Sequence, residues 1–351
     1  MTDVADADWV IGVDTHRDTH TAAACDARGR VGAHLQVPAT PQGYEQLLAW
    51  ARQAAGGGRM IWAIEGTRSY GLGLARHLAA AGEQAAEIDG SHHLGKRQAG
   101  KSDEIDAVRA ARELLARPHP AQMRADGDRE ALRLLMIDRD HAVQAARTAR
   151  AILAAVLVTA PAPLREQLRH LPAARRPAAC AALACPEDTS RHTQVIYQVL
   201  ARLGRRITAL AAEAASIETQ IAQVTDDMAP GLTTTEPGVG ALCAAQLLLA
   251  WSHPGRIRTE AAFAMLAGTA PIPVSSGNTH RHRLNRLGDR QLNRALHTIT
   301  ITRMRSHPPT LDYVARRRAE GKTDREIRRC LKRYLARHLY RVMQNAGPAM
   351  T

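Results

Sequence analysis

Two apolar runs of strand length, each leading into an acid, constrain this chain more than any other feature. Trp9-Val10-Ile11-Gly12-Val13 precedes Asp14, and Met60-Ile61-Trp62-Ala63-Ile64 precedes Glu65. Runs this short, rich in β-branched and aromatic residues, read as buried strands rather than helices. His20 to Cys25 and Val31 to Val37 flank Asp26-Ala27-Arg28-Gly29, the turn chemistry of a hairpin. Thr40 offers an N-cap ahead of Pro41, and Tyr44, Leu47 and Leu48 follow at helical spacing. Residues 70–81 read as a second helix, 85–88 as a further strand and 101–115 as a third helix with Ser102 as its cap.

The order β-β-β-α-β-α-β-α predicts an α/β domain with a mixed sheet, the arrangement of RNase H-like domains. Helix-forming residues then run from Gly127 to Val158, Pro161, Pro163, Pro172 and Pro177 interrupt them, and Gln194 to Val224 resumes the helical spacing. Two long helices joined by a Pro/Ala-rich bend predict an antiparallel, coiled-coil-like arm. A turn at Thr235-Glu236-Pro237-Gly238-Val239-Gly240 feeds the apolar helix 241–251, and a Ser/Gly loop at 275–277 leads into basic helices. Three domains are expected: 1–118, 119–230 and a mostly α-helical 231–351.

Charge is divided unevenly. Residues 1–230 carry 27 Lys+Arg against 27 Asp+Glu, so the net +13 comes entirely from the 20 basic and 7 acidic residues of 231–351. A neutral front and a basic rear point to a polyanionic partner, most simply nucleic acid. With one Phe and 3% aromatics, phosphate contacts are expected rather than base-stacking platforms. The longest apolar run, 151–158, is far too short to span a bilayer. The N-terminus lacks the stages of a signal peptide, and five scattered cysteines lack metal-ligand spacing. A cytoplasmic protein, associated with the nucleoid when acting, is expected, with Cys180 and Cys185 as buried thiols.

Asp14 and Glu65 each end a predicted strand, while Asp103 and Asp106 are three apart on a predicted helix and share a face. Four converging acids repel one another unless they hold divalent cations, and oxygen ligation suits Mg²⁺ or Mn²⁺. Two such ions would clamp the attacking and leaving oxygens of a phosphodiester. Taken singly, each acid reads equally as a cap or a solvated charge, Asp103 above all, because it opens a helix. Glu104 is expected to point away from the pair and Asp18 to lie at the surface. Lys101 either touches a phosphate or is solvated.

Ile11-Gly12-Val13-Asp14, Ile64-Glu65-Gly66 and Lys101-Ser102-Asp103-Glu104-Ile105-Asp106-Ala107 resemble the N-terminal motifs of the DEDD transposases of bacterial insertion sequences, relatives of the Piv DNA invertase. Pro237-Gly238-Val239-Gly240, Ala267-Gly268, Pro271, Ser275-Ser276-Gly277 and Gly288-Asp289-Arg290-Gln291-Leu292-Asn293-Arg294-Ala295-Leu296 resemble that family's C-terminal domain. The third acid motif departs from the family in carrying Ser102 where Thr is usual, which keeps a capping hydroxyl.

The resemblance implies a RuvC-like nuclease domain at the N-terminus and a recombinase that cuts and rejoins donor and target double-stranded DNA, guided by a bridge RNA. It implies a homo-oligomer, dimer or tetramer, in which a C-terminal serine joins the acids of another protomer. Motif position assigns that role to Ser276, directly before Gly277, rather than to Ser275. From residue chemistry alone Ser276 is an ordinary loop serine, since no general base adjoins it in sequence. His280 and His282 read as phosphate or solvent contacts. Gly238 and Gly240 either hold a phosphate at a helix start or form a simple turn. Arg281, Arg283, Arg286, Arg290 and Arg294 either contact nucleic acid or make a solvated face. A RuvC-like structure-specific endonuclease would need the acids without Ser276, and an inactive DNA-binding protein would need only the basic rear.

Overall fold

Strand β1 (Trp9–Thr15) is buried along nearly its whole length, and its alternation divides the first core in two. Ile11 and Val13 face a layer with Leu47, Trp62, Ile64, Leu74 and Leu78. Val10 faces the opposite layer with Ile61, Ala63, Ala110, Ala111 and Leu114. Burial on both faces accounts for the continuous apolar run, which would alternate with polar residues on a half-exposed strand. The computed structural model describes residues 4–67, 69–88, 102–117, 121–187, 189–276 and 279–345. They form two units: the chain up to Arg124 with Gly255–Ile257, and Ala125–Pro254 with the chain from Arg258 onward.

In the first unit β1 is followed by β2 (Thr19–Asp26), β3 (Val31–Pro38), α1 (Pro41–Ala55), β4 (Met60–Glu65), α2 (Leu72–Ala80), β5 (Ala85–Ile88), α3 (Asp103–Leu115) and β6 (Ala121–Gln122). The sheet order is β3-β2-β1-β4-β5-β6. β1 pairs antiparallel with β2 and parallel with β4, so the sheet is mixed, as expected from the sequence. The hairpin turn forms at the expected residues, where Asp26 Oδ1 accepts from the N–H groups of Arg28 and Arg30. Thr40 caps α1 by accepting from Gly43 N–H, with Pro41 in the first turn. Glu87 on β5 is buried and takes Arg124 at 2.6 Å and Arg256 at 3.2 Å, which ties Gly255–Ile257 to this unit.

The second unit begins with α4 (Asp128–Val158), α5 (Ala162–Arg169), α6 (Arg176–Ala181) and α7 (Arg191–Met228). α4 and α7 run antiparallel, since Arg139 pairs with Glu218 while Leu153 clusters with Leu200 and Leu203. At 31 and 38 residues they are about 47 and 57 Å long. Gly204 admits α6 to the face of α7, because a Cβ there would meet the Ala181 nitrogen at 2.5 Å. The chain continues through α8 (Leu232–Thr235), α9 (Ala241–Trp251), α10 (Glu260–Leu266), β7 (Ile272–Ser276), β8 (Thr279–Arg283), α11 (Arg290–Ser306), α12 (Pro308–Ala319) and α13 (Asp324–Asn345). α9 has its last five residues buried, as its apolar sequence demands.

Two expectations are corrected. Ser275 and Ser276 belong to β7, not to a loop, because β7 pairs antiparallel with the basic strand β8 and backbone pairing outweighs the loop propensity of serine. Cys180 is buried, but Cys185 is exposed, lying beyond the end of α6 where no element packs over it. Among the described residues no helix is long and apolar enough to cross a membrane.

Candidate functional site

The alternation of β1 puts Gly12 and Asp14 on the face of the sheet that α3 covers. Alternation along β4 likewise puts Glu65 on the face of Ile61 and Ala63. Val13 stands opposite Ile64 in the parallel register, so Asp14 and Glu65 are at the C-terminal ends of neighbouring strands. Thr15 Oγ1 donates to the Glu65 carbonyl at 2.8 Å and joins those ends. Gly66 then turns the chain at φ +71°, with Thr15 Oγ1 2.8 Å from where a Cβ would stand. That close approach explains why glycine follows Glu65.

Ser102 opens α3 by accepting from Ile105 N–H, and Asp103 and Asp106 lie in the first turn. Asp103 meets the end of β1 through His16, whose Nε2 is 3.1 Å from Asp14 Oδ2 and 3.4 Å from Asp103 Oδ1. One donor atom from each of Asp14, His16 and Asp103 lies within 4.8 Å of the other two. Asp106 accepts from Arg109 at 2.7 Å. Burial pushes the Asp14 carboxyl above its ordinary pKa; His16 opposes this, and Asp106 and Asp103 add to it. A buried carboxylate among acids, faced by an imidazole nitrogen, is a donor set for a divalent cation, and the mixed oxygen and nitrogen donors suit Mn²⁺ at least as well as Mg²⁺.

Sequence reasoning missed His16. Its signal was available, since two residues after Asp14 a side chain returns to the same face of an extended strand. Glu104 and Asp18 are exposed, as expected. Lys101 and Gly277 lie outside the described residues.

In the second unit Ser276 is the last residue of β7, in register with Thr279. Arg281 and Arg283 belong to β8, Arg286 to the segment after it, and Arg290 and Arg294 to α11; all five are exposed. Gly288 backs onto Gly268, where a Cβ would meet backbone at 2.3 Å, and Asp289 caps α11 through the N–H groups of Gln291 and Leu292. Gly238, at φ +79°, packs its turn on Thr302 and Arg303, while Gly240 is the N-cap of α9 with open space around it.

Two family models match this sequence. One described as "Transposase" of the DEDD type covers residues 11–160, and one described as "Transposase IS116/IS110/IS902 family" covers 232–315. The chain is 35% identical to the insertion element IS110 uncharacterized 43.6 kDa protein of Streptomyces coelicolor over 36% of this chain and 31% of that protein. It is 28% identical to the insertion element IS900 uncharacterized 42 kDa protein of Mycobacterium paratuberculosis over 79% of this chain and 81% of that protein. The match thus spans about a third of the first relative and four fifths of the second.

Proposed function

Since the chain belongs to the DEDD family of insertion-sequence transposases, we propose that it moves its element by cutting and rejoining DNA strands, with Asp14, Glu65, Asp103 and Asp106 holding a divalent cation and Ser276 as nucleophile. The observation that carries this reading is the meeting of Asp14 and Asp103 across the sheet-to-helix junction of an α/β unit, with His16 between them. The first unit is read as an RNase H-like, RuvC-like nuclease domain, α4 to α7 as an arm, and residues 231–351 as the basic transposase domain.

A bound Mg²⁺ or Mn²⁺ supplies charge neutralisation at the scissile phosphate. The serine Oγ forms a bond to phosphorus, one P–O bond of the DNA breaks, and the released sugar hydroxyl takes up a proton to balance the one serine loses. The phosphoserine link conserves the energy of the phosphodiester, so rejoining runs the same exchange in reverse without an external energy source. Following the family resemblance, the serine of one subunit serves the acids of another, in a dimer or tetramer guided by a bridge RNA. Arg281, Arg283, Arg286, Arg290 and Arg294 meet nucleic-acid phosphates.

The test is a denaturing gel of labelled donor DNA incubated with the protein and Mg²⁺ or Mn²⁺. A protein-linked strand is expected from the wild type, lost in Ser276→Ala and kept in Ser275→Ala. Free DNA ends alone, still produced by Ser276→Ala, would replace this reading with a metal-dependent structure-specific endonuclease.

A further inference from the structure

Residues 231–351 carry seven acids, and four of them are held in ion pairs. Glu236 pairs with Arg303 and His338, Glu260 with Arg337 and Arg341, Glu320 with Arg317, and Asp324 with Arg318. None lines the cavity of about 520 Å³ at the foot of the β7–β8 hairpin. Its walls carry Arg283 and Arg286 from the hairpin side and Arg329, Lys332 and Arg333 from α13, and among the described residues no ion pair forms at any of these five. Burial holds the Lys332 ammonium below its usual pKa, and among the described residues its Nζ donates only to the neutral Asn293 amide oxygen, at 2.6 Å. A desolvated cation whose sole partner is an amide calls for an anion.

The lining is not charged throughout. Ala270, Pro271 and the Tyr334 ring give it an apolar floor, and Tyr334 is held by a T-shaped contact with Tyr313 at 5.9 Å while remaining largely exposed. The volume exceeds what a bare phosphate fills and falls within the range of sites for small organic ligands. Taking the chain to act on nucleic acid, we propose that this cavity holds one nucleotide of a strand, its phosphate among the five cations and its base against Tyr334. Four residue steps along the strand separate Ile272, at the foot of β7, from Ser276, a span of roughly 13 Å. The nucleotide held is therefore a few steps along the strand from a phosphate at Ser276, and the cavity sets which phosphate the serine meets.

Photocrosslinking tests this with the full chain and two sets of short single strands, DNA carrying 4-thiothymidine and RNA carrying 4-thiouridine, each scanned one position at a time. A crosslink is expected on the α13 peptide containing Tyr334, from one position or a narrow window, and the strand type that gives it identifies the source. Lys332→Met, which keeps the side chain's bulk, should weaken binding of that strand roughly tenfold and lower the salt slope by about one. Strands that bind with unchanged affinity and slope in Lys332→Met, with wild-type crosslinks only on other elements, overturn the cavity assignment and leave the nucleic-acid reading intact. A wild-type chain that binds neither DNA nor RNA overturns both.

Discussion

A Cβ on Gly12 would stand 2.1 Å from the Ala107 carbonyl oxygen and 2.6 Å from the Ala111 nitrogen, so the backbone of α3 occupies the space that any side chain at this position of β1 would need. Contact this close lets the first turn of α3 bring Asp103 to the end of β1. Backbone cannot yield as a flexible side chain does, so the helix must move if the glycine is replaced. Gly12→Ala should destabilise the first unit by about 3 kcal/mol and remove the stabilisation expected from Mn²⁺ at the proposed metal site. Thermal unfolding with and without Mn²⁺ measures both, and a variant that keeps the wild-type metal shift would show that α3 docks without this contact.

In the proposed metal site, Asp14 connects cation binding to pH. Its raised pKa means that the folded state favours the protonated carboxyl, so the associated stability is present below the unfolded value of about 3.8 and is lost as pH rises through the folded value. A cation offsets that cost only when the carboxylate is charged. Asp14→Asn should therefore melt no lower than the wild type without added metal, and should lose the Mn²⁺-dependent rise in melting temperature expected of the wild type at pH 7.5. A variant that keeps the full rise would remove Asp14 from the metal site.

His16 offers a nitrogen among oxygen donors, which distinguishes it from an acid-only site. Pulsed EPR of the Mn²⁺-loaded protein should show a ¹⁴N coupling that disappears in His16→Gln, and the preference for Mn²⁺ over Mg²⁺ should narrow by about tenfold. An unchanged spectrum in the variant would leave His16 as a hydrogen-bond partner of the two acids and nothing more.

His20 is fully buried, with Nδ1 3.0 Å from the Thr19 carbonyl and its ring stacked on Tyr44 at 5.5 Å. Burial lowers its pKa, so the unfolded chain takes up the proton first as pH falls below about 6.5. Stability should decline through that range and level off once pH is below the folded value. Urea unfolding from pH 5 to 8 should show this slope, and His20→Phe should flatten it.

Glu87 is buried between Arg124 and Arg256. Glu87→Ala removes the buried carboxylate that both guanidinium groups face and should cost about 3 kcal/mol in chemical denaturation. Arg17→Ala, at the exposed Arg17–Asp18 pair, serves as the control and should cost less than about 1 kcal/mol.

Short-range patterns in the sequence determined much of this protein. The apolar runs of β1 and β4, the Asp26 turn, the Thr40 and Ser102 caps and the helical spacing of α4 and α7 follow from local sterics, capping and periodicity, and each stands within a few residues of its expected place. Asp14 and Glu65 at strand ends, and Asp103 beside Asp106 on one helix face, were legible for the same reason. Tertiary structure decided what depends on partners far along the chain. His16 became a neighbour of Asp103 only when α3 settled against Gly12, a packing contact between residues about a hundred positions apart that leaves no local trace. Ser275 and Ser276 became strand residues because β8 pairs with β7. In the basic rear, composition told the sign of the charge, but folding chose which arginines the acids neutralise and which remain around the cavity, since ion pairing depends on distances that only the packed helices set.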